Sequence, residues 1–113
     1  MTTIRITKID DEQILFSDGS RITFDHDQDC CEYNYADFQQ LDDLARSYKF
    51  QRPLYFEPAE GGFRFGDSRR KFYVPCYSEQ NGYYTTEVDI YYTHINKGNK
   101  PVLMLEGQYI ENY

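Results

Sequence analysis

Residues 13–26 read QILFSDGSRITFDH. A short apolar run and a run of alternating apolar and polar residues flank Asp18-Gly19, a dipeptide suited to a tight hairpin because Gly adopts positive φ at no steric cost. The spacing predicts strand, turn, strand: QILF (13–16) against RITFDH (21–26). Upstream, TIRITKI (3–9) alternates Ile4 and Ile6 with polar neighbours, so the chain is expected to open as a three-stranded meander. Downstream, LYF (54–56) and FRF (63–65) flank PAEGG, a hairpin loop. KFYVPCYS (71–78) is a further strand, and Pro75, which has no N–H to give, is expected on an edge or at a bulge. Asn81-Gly82 marks a second hairpin. The strand that follows, 83–95, puts Tyr84, Thr86, Val88, Ile90, Tyr92 and His94 on one face, with Val88 and Ile90 marking the inner side. KGNKP (97–101) is a turn and VLMLEGQYI (102–110) a last strand.

One segment breaks this pattern. After Asp37, a candidate N-cap, Phe38, Leu41, Leu44, Ala45 and Tyr48 fall at helical spacing and predict one amphipathic helix of about three turns, closed by residues 47–52 ahead of Pro53. The expected fold is α+β: a single domain over residues 1–113, with a mostly antiparallel, twisted sheet of about six to eight strands and one amphipathic helix packed on it.

Aromatic residues make up 18% of the chain, with 12 Tyr, 8 Phe and no Trp. A mean hydropathy of -0.79 is that of a polar chain, but the aromatic and β-branched content argues for a packed core. No run approaches the roughly 20 apolar residues of a membrane span. The opening MTTIRITKIDDEQ has no apolar signal region, so a cytoplasmic protein with no membrane partner is expected. Three cysteines, an odd count, do not suggest a disulfide framework. The net charge of -7 is unevenly spread: residues 10–43 carry 11 acids against one base, Arg21, and residues 44–76 carry seven bases against three acids. Such asymmetry steers partners of opposite sign, and the acidic band could imitate a phosphate track in the manner of a DNA mimic.

The chemistry concentrates in FDHDQDCCEYNY (24–35). Asp25, Asp27 and Asp29 invite a calcium-loop reading, which fails on spacing. Such a loop needs Gly at its sixth position and Glu at its twelfth, and those positions are Cys30 and Ala36. On a strand, Asp25, Asp27 and Asp29 would share an outer face, while Ile22, Phe24, His26, Gln28 and Cys30 line the inner one. A zinc site from His26, Cys30, Cys31 and His94, with Cys76 as a further ligand, is the candidate metal centre. Against it stand the lack of a C-x-x-C pair and the opposed directions of adjacent cysteines on a strand. The same cluster is the candidate for a small thiol-dependent or metal-dependent enzyme, with Asp29 or Glu32 orienting His94. Surrounding acids would raise rather than lower the cysteine pKa, which argues against that role. FRFGDSRRKFYV (63–74) interleaves Arg64, Arg69, Arg70 and Lys71 with Phe63, Phe65, Phe72 and Tyr73, the pattern of a single-strand nucleic-acid surface. The overall negative charge makes direct nucleic-acid binding an unfavoured expectation.

Two segments carry a family resemblance. DHDQDCCE (25–32) resembles the H-x-Q-D-C-C-E signature of an uncharacterised domain family met in bacteriophage and bacterial genomes. His26, Gln28, Asp29, Cys30, Cys31 and Glu32 stand at the matching positions. SEQNGYYTTEVDI (78–90) is similar to that family's S-N-G-Y-Y-x-x-x-V-D segment through Asn81, Gly82, Tyr83, Tyr84, Val88 and Asp89, with Glu79-Gln80 separating Ser78 from Asn81. The resemblance covers about half the chain. It implies a phage or mobile-element setting and a compact β-rich domain, and carries no catalytic role.

These readings converge on a small acidic, non-enzymatic protein-binding module acting on a host protein, such as an inhibitor of a defence nuclease of the anti-CRISPR type. Asp25, Asp27, Asp29, Glu32, Asp42, Asp43, Tyr83 and Tyr91 are the expected contact residues. Gln28, Asp29, Asn81, Gly82, Tyr84 and Asp89 are expected to serve the motif's structure. No cofactor is expected other than the zinc of the candidate metal centre.

Overall fold

The computed structural model describes residues 3–25, 32–80, 87–94, 98 and 100–109, with the side chains of Asp25, 32–34, 78–80, 87 and 106–109 left aside. Among the described residues the chain forms eleven strands: β1 (Thr3–Ile4), β2 (Ile6–Ile9), β3 (Gln13–Phe16), β4 (Arg21–Asp25), β5 (Glu32–Ala36), β6 (Phe50–Gln51), β7 (Tyr55–Ala59), β8 (Gly62–Gly66), β9 (Lys71–Gln80), β10 (Glu87–Thr93) and β11 (Pro101–Tyr109). They make a five-stranded antiparallel sheet in the order β11-β10-β4-β3-β2, a four-stranded one in the order β5-β9-β8-β7, and the two-residue pair β1-β6. The β-rich, antiparallel expectation holds. The strand count is higher than expected, and the strands divide between facing sheets. The meander strand expected at 3–9 is split: Thr3–Ile4 pairs with Phe50–Gln51, and Ile6–Ile9 pairs with β3.

The inner faces share one core. Ile14, Phe16, Ile22, Val88 and Ile90 come from the first sheet, and Phe63, Phe65, Phe72, Val74 and Cys76 from the second. Phe50 joins them: its ring stacks on Phe65 at 5.7 Å and meets Phe16 edge-on at 5.9 Å and Phe72 at 5.7 Å. Each such aromatic contact adds about 0.5–1.5 kcal/mol beyond the area it buries.

The expected three-turn helix is not formed. In its place stand a 3-10 turn (Phe38–Gln40) and a single α-helical turn, α1 (Asp43–Ser47). Asp42 is the reason: its carboxylate accepts from the Leu44 N–H at 3.0 Å and opens a new cap, while Leu41 and Asp42 stay extended. Leu44, expected on the buried stripe, is 55% exposed. Asp37 does cap, accepting from Gln39 N–H at 3.2 Å, but for the short turn.

Pro75 was expected on an edge or a bulge, yet β9 is an interior strand. The proline sits where its neighbours change: Gly62 is its partner at the end of β8, and the β5 pairing begins at Cys76 opposite Ala36. Its carbonyl accepts from Asp37 N–H at 2.9 Å. The carbonyl that a returning N–H would meet, that of Asp37, already accepts from Gln40 N–H. The missing donor is therefore not missed.

The β8–β9 loop is held by a buried carboxylate. Asp67, 1% exposed, accepts from Gln51 N–H at 3.0 Å and from Arg69 and Arg70 N–H at 2.9 Å. The Tyr48 hydroxyl donates to it at 3.0 Å. Burial alone would push its pKa up; the three backbone donors and Tyr48 outweigh burial and hold it below the ordinary carboxylate value. Its stabilising effect is thus fully present above about pH 4, the unfolded value, and is lost as pH falls through the lower folded value. Asp67→Asn should lose about 2–4 kcal/mol at pH 7, since the amide keeps one acceptor oxygen for Arg69 and Arg70 N–H but sets an NH2 donor against the buried Gln51 N–H and removes the charge. Urea unfolding at pH 7 and at roughly pH 3 should show a smaller pH-dependent loss in the variant than in the parent chain.

Candidate binding face

The outer face of the second sheet is paved with tyrosine. On β9, period two turns Phe72, Val74 and Cys76 inward and Tyr73, Pro75 and Tyr77 outward. Tyr35 lies directly opposite Tyr77 on β5, and their rings approach at 5.8 Å. Tyr73 is 40% exposed. Its hydroxyl donates to the Glu60 carbonyl at 2.6 Å, across the two-residue turn Glu60-Gly61 where Gly61 has φ 72°. The Tyr77 hydroxyl donates to Gln40 Oε1 at 3.2 Å, and Gln40 Nε2 donates to Asp37 Oδ2 at 2.8 Å. Tyr73, Pro75 and Tyr77 thus floor a groove of about 460 Å³, walled by Gln40 on the 3-10 turn and Glu60 on the hairpin turn. Cys76 reaches the groove only from beneath. It is 2% exposed, and burial pushes its thiol up to about 12.

A second, smaller cleft of about 300 Å³ lies where residues 52–54 meet β10 and β11. Arg52, Leu54, Tyr92, His94, Val102 and Met104 line it, with Pro53.

The expected site residues distribute as follows. His26, Asp27, Gln28, Asp29, Cys30, Cys31, Asn81, Gly82, Tyr83 and Tyr84 lie outside the described residues. Of the strand expected over 21–26, Arg21–Asp25 forms β4 of the first sheet; the row expected through residue 30 lies outside the described residues, and Glu32–Ala36 belongs to the second sheet. Likewise β9 and β10 belong to different sheets. Val88 and Ile90 are buried on the expected inner face, with Tyr92 packed beside them. His94 meets the Tyr92 ring edge-on at 6.0 Å. Among the described residues, no three metal-ligating side chains come together. Cys76 faces the core.

Asp42 is committed to its cap, whereas the Asp43 side chain is 97% exposed beside Arg46 at 3.6 Å. Asp10 and Asp18 are similarly used by their own turns, accepting from Gln13 N–H and Ser20 N–H at 2.9 Å each. Asp89 pairs across from Asp25, and Tyr91 lies beside Thr23, Phe24 and Pro101 in a shallow hollow. The basic–aromatic stretch 63–74 loses its stacking platform. Phe63, Phe65 and Phe72 are core residues, Arg64 pairs with Glu57 at 3.1 Å, and Arg70 lies over the Phe72 ring at 4.8 Å.

Sequence reasoning missed the groove. Its one available signal was Tyr73-x-Pro75-x-Tyr77, outward by period two once Val74 is taken as core. No family model, no curated protein and no solved structure matches this chain. No helix among the described residues is long and apolar enough to cross a membrane.

A thiol held at about 12 and buried should be inert. After iodoacetamide treatment of the native protein at neutral pH, peptide mapping should find Cys76 unmodified, and denaturation should expose it fully.

Proposed function

We propose that this chain is a non-enzymatic protein-binding module whose docking face is the tyrosine-floored groove of the second sheet. The observation that carries the reading is the pre-setting of Tyr73 and Tyr77, whose hydroxyls are tied to Glu60 and Gln40. Rings fixed in this way offer large amphipathic contact area with little conformational entropy left to lose on binding. Tyr is enriched at interface cores for the same reason. Glu60 and Gln40 at the walls supply the polar rim.

The partner on this reading is a host protein with a basic surface. The net charge of -7 attracts it at long range, and the tyrosine face makes the close contacts. A nuclease with a basic nucleic-acid groove fits that description. The resemblance of residues 25–32 and 78–90 supports a phage or mobile-element origin, with action in the host cytoplasm as an inhibitor of the anti-CRISPR or DNA-mimic kind. Of the acidic band, Asp10, Asp18, Asp37 and Asp42 serve their own turns, so its contribution is steering more than contact.

Photo-crosslinking inside the bacterial host tests this. With p-benzoylphenylalanine at Tyr73, a discrete adduct with one host protein is expected. The same group at Lys8, on the edge strand β2 of the other sheet, should give none. Adducts from Lys8 and none from Tyr73 would overturn the choice of face.

A further inference from the structure

The cleft between residues 52–54 and β10–β11 is built by a relay of polar contacts that starts in the Asp18-Gly19 turn. Asp18 Oδ1 accepts from Ser20 N–H at 2.9 Å and from the Ser20 hydroxyl. Its other oxygen, Oδ2, is paired with Arg52 Nη2. The Ser20 oxygen in turn accepts from the Tyr92 hydroxyl at 2.8 Å. Ser20 is fully buried, so this chain of bonds fixes both the guanidinium of Arg52 and the ring of Tyr92.

Two features of the result call for a ligand. Arg52 lines the cleft with its Nη2 held by Asp18, and its Nε–H is buried without an acceptor. The remaining wall is apolar, and its shape comes from β11. Met104 is the extra residue of a bulge, because Tyr91 pairs with Leu103 and Ile90 with Leu105. Val102 and Met104 consequently both face the cleft, opposite Leu54, while Leu105 returns to the core. Among the described lining residues none is acidic, although the chain as a whole carries -7. Arg52, held by Asp18 from outside the described lining, and His94 stand beside an apolar wall, an arrangement suited to a single carboxylate on an apolar body.

We infer that this cleft binds a small monocarboxylate with an apolar or aromatic body. The carboxylate takes the guanidinium of Arg52, and the body lies between Leu54, Val102 and Met104. A volume of about 300 Å³ is at the lower end for ligand sites, which suits a one-ring molecule. This site is independent of the tyrosine groove and of any protein partner.

The chain has two methionines, so methyl-labelled methionine gives a resonance for Met104 that is readily assigned. Phenylacetate is the probe. Its titration should shift the Met104 methyl and the His94 ring saturably. 2-Phenylethanol, the neutral counterpart, should need at least about tenfold more, and acetate alone more still. Val102→Trp, at a position already 43% exposed, should fill the cleft and abolish the shifts while leaving thermal unfolding unchanged. Arg52→Gln should lose the preference for phenylacetate over 2-phenylethanol. The assignment is overturned if Met104 does not respond at roughly 10 mM phenylacetate, the millimolar limit of weak binding. Equal response to the neutral compound, or binding that survives Val102→Trp, overturns it as well; either would leave the cleft a hydrated gap.

Discussion

A single carboxylate, that of Asp67, ties three parts of the chain. Two backbone donors come from its own loop, one comes from β6 through Gln51, and the hydroxyl of Tyr48 completes the collar. A fully buried charge is tolerable only when its lone pairs are used in this way. The consequence spreads through packing. With Tyr48 anchored, its ring meets Phe50 at 4.8 Å and Phe72 at 5.4 Å. Phe50 is then held between the two sheets, and its strand pairs with Thr3–Ile4. The same anchor explains why no long helix continues past Ser47, since a helix through 48–52 would remove Tyr48 from Asp67 and Phe50 from the core.

Much of the β architecture was legible in the sequence. The apolar runs on either side of Asp18-Gly19 located β3 and β4 and their turn, and Val88 and Ile90 marked the buried face of β10 correctly. What misled was competition between local signals. The apolar spacing of Phe38, Leu41 and Leu44 suits a helix, but Asp42 offers the backbone a cap in the middle of it. Pro75 suggested an edge because its missing donor is a local property, whereas its tolerance depends on a carbonyl, that of Asp37, which the turn after β5 already uses. Division of the strands between two sheets rests on contacts distant in sequence, which periodicity does not encode.

The candidate sites were far less legible. Attention fell on His26 to Cys31 because histidine and cysteine advertise chemistry by identity alone. The tyrosine groove advertises nothing by identity in a chain with 12 tyrosines. Tyr73 and Tyr77 become a surface only once Val74 and Cys76 turn inward and two turns bring Gln40 and Glu60 alongside. Arg52 is equally silent: its role at the cleft follows from the carboxylate of Asp18, which lies 34 residues earlier in the chain. Both faces are rigid for the same reason, in that short turns with satisfied polar groups leave their side chains few alternative positions.

The proposed docking face makes its sharpest prediction about turn amides. Those of Gln39-Gln40 and of Glu60-Gly61 lie in surface turns at the groove and should exchange readily in the free chain. Hydrogen exchange measured with and without the crosslinked host partner should show these amides slowed by about tenfold or more on binding, with β2 and β11 unchanged. Protection centred on the Asp10–Glu12 turn, with none at the two groove turns, would contradict the account and return the contact to the acidic band.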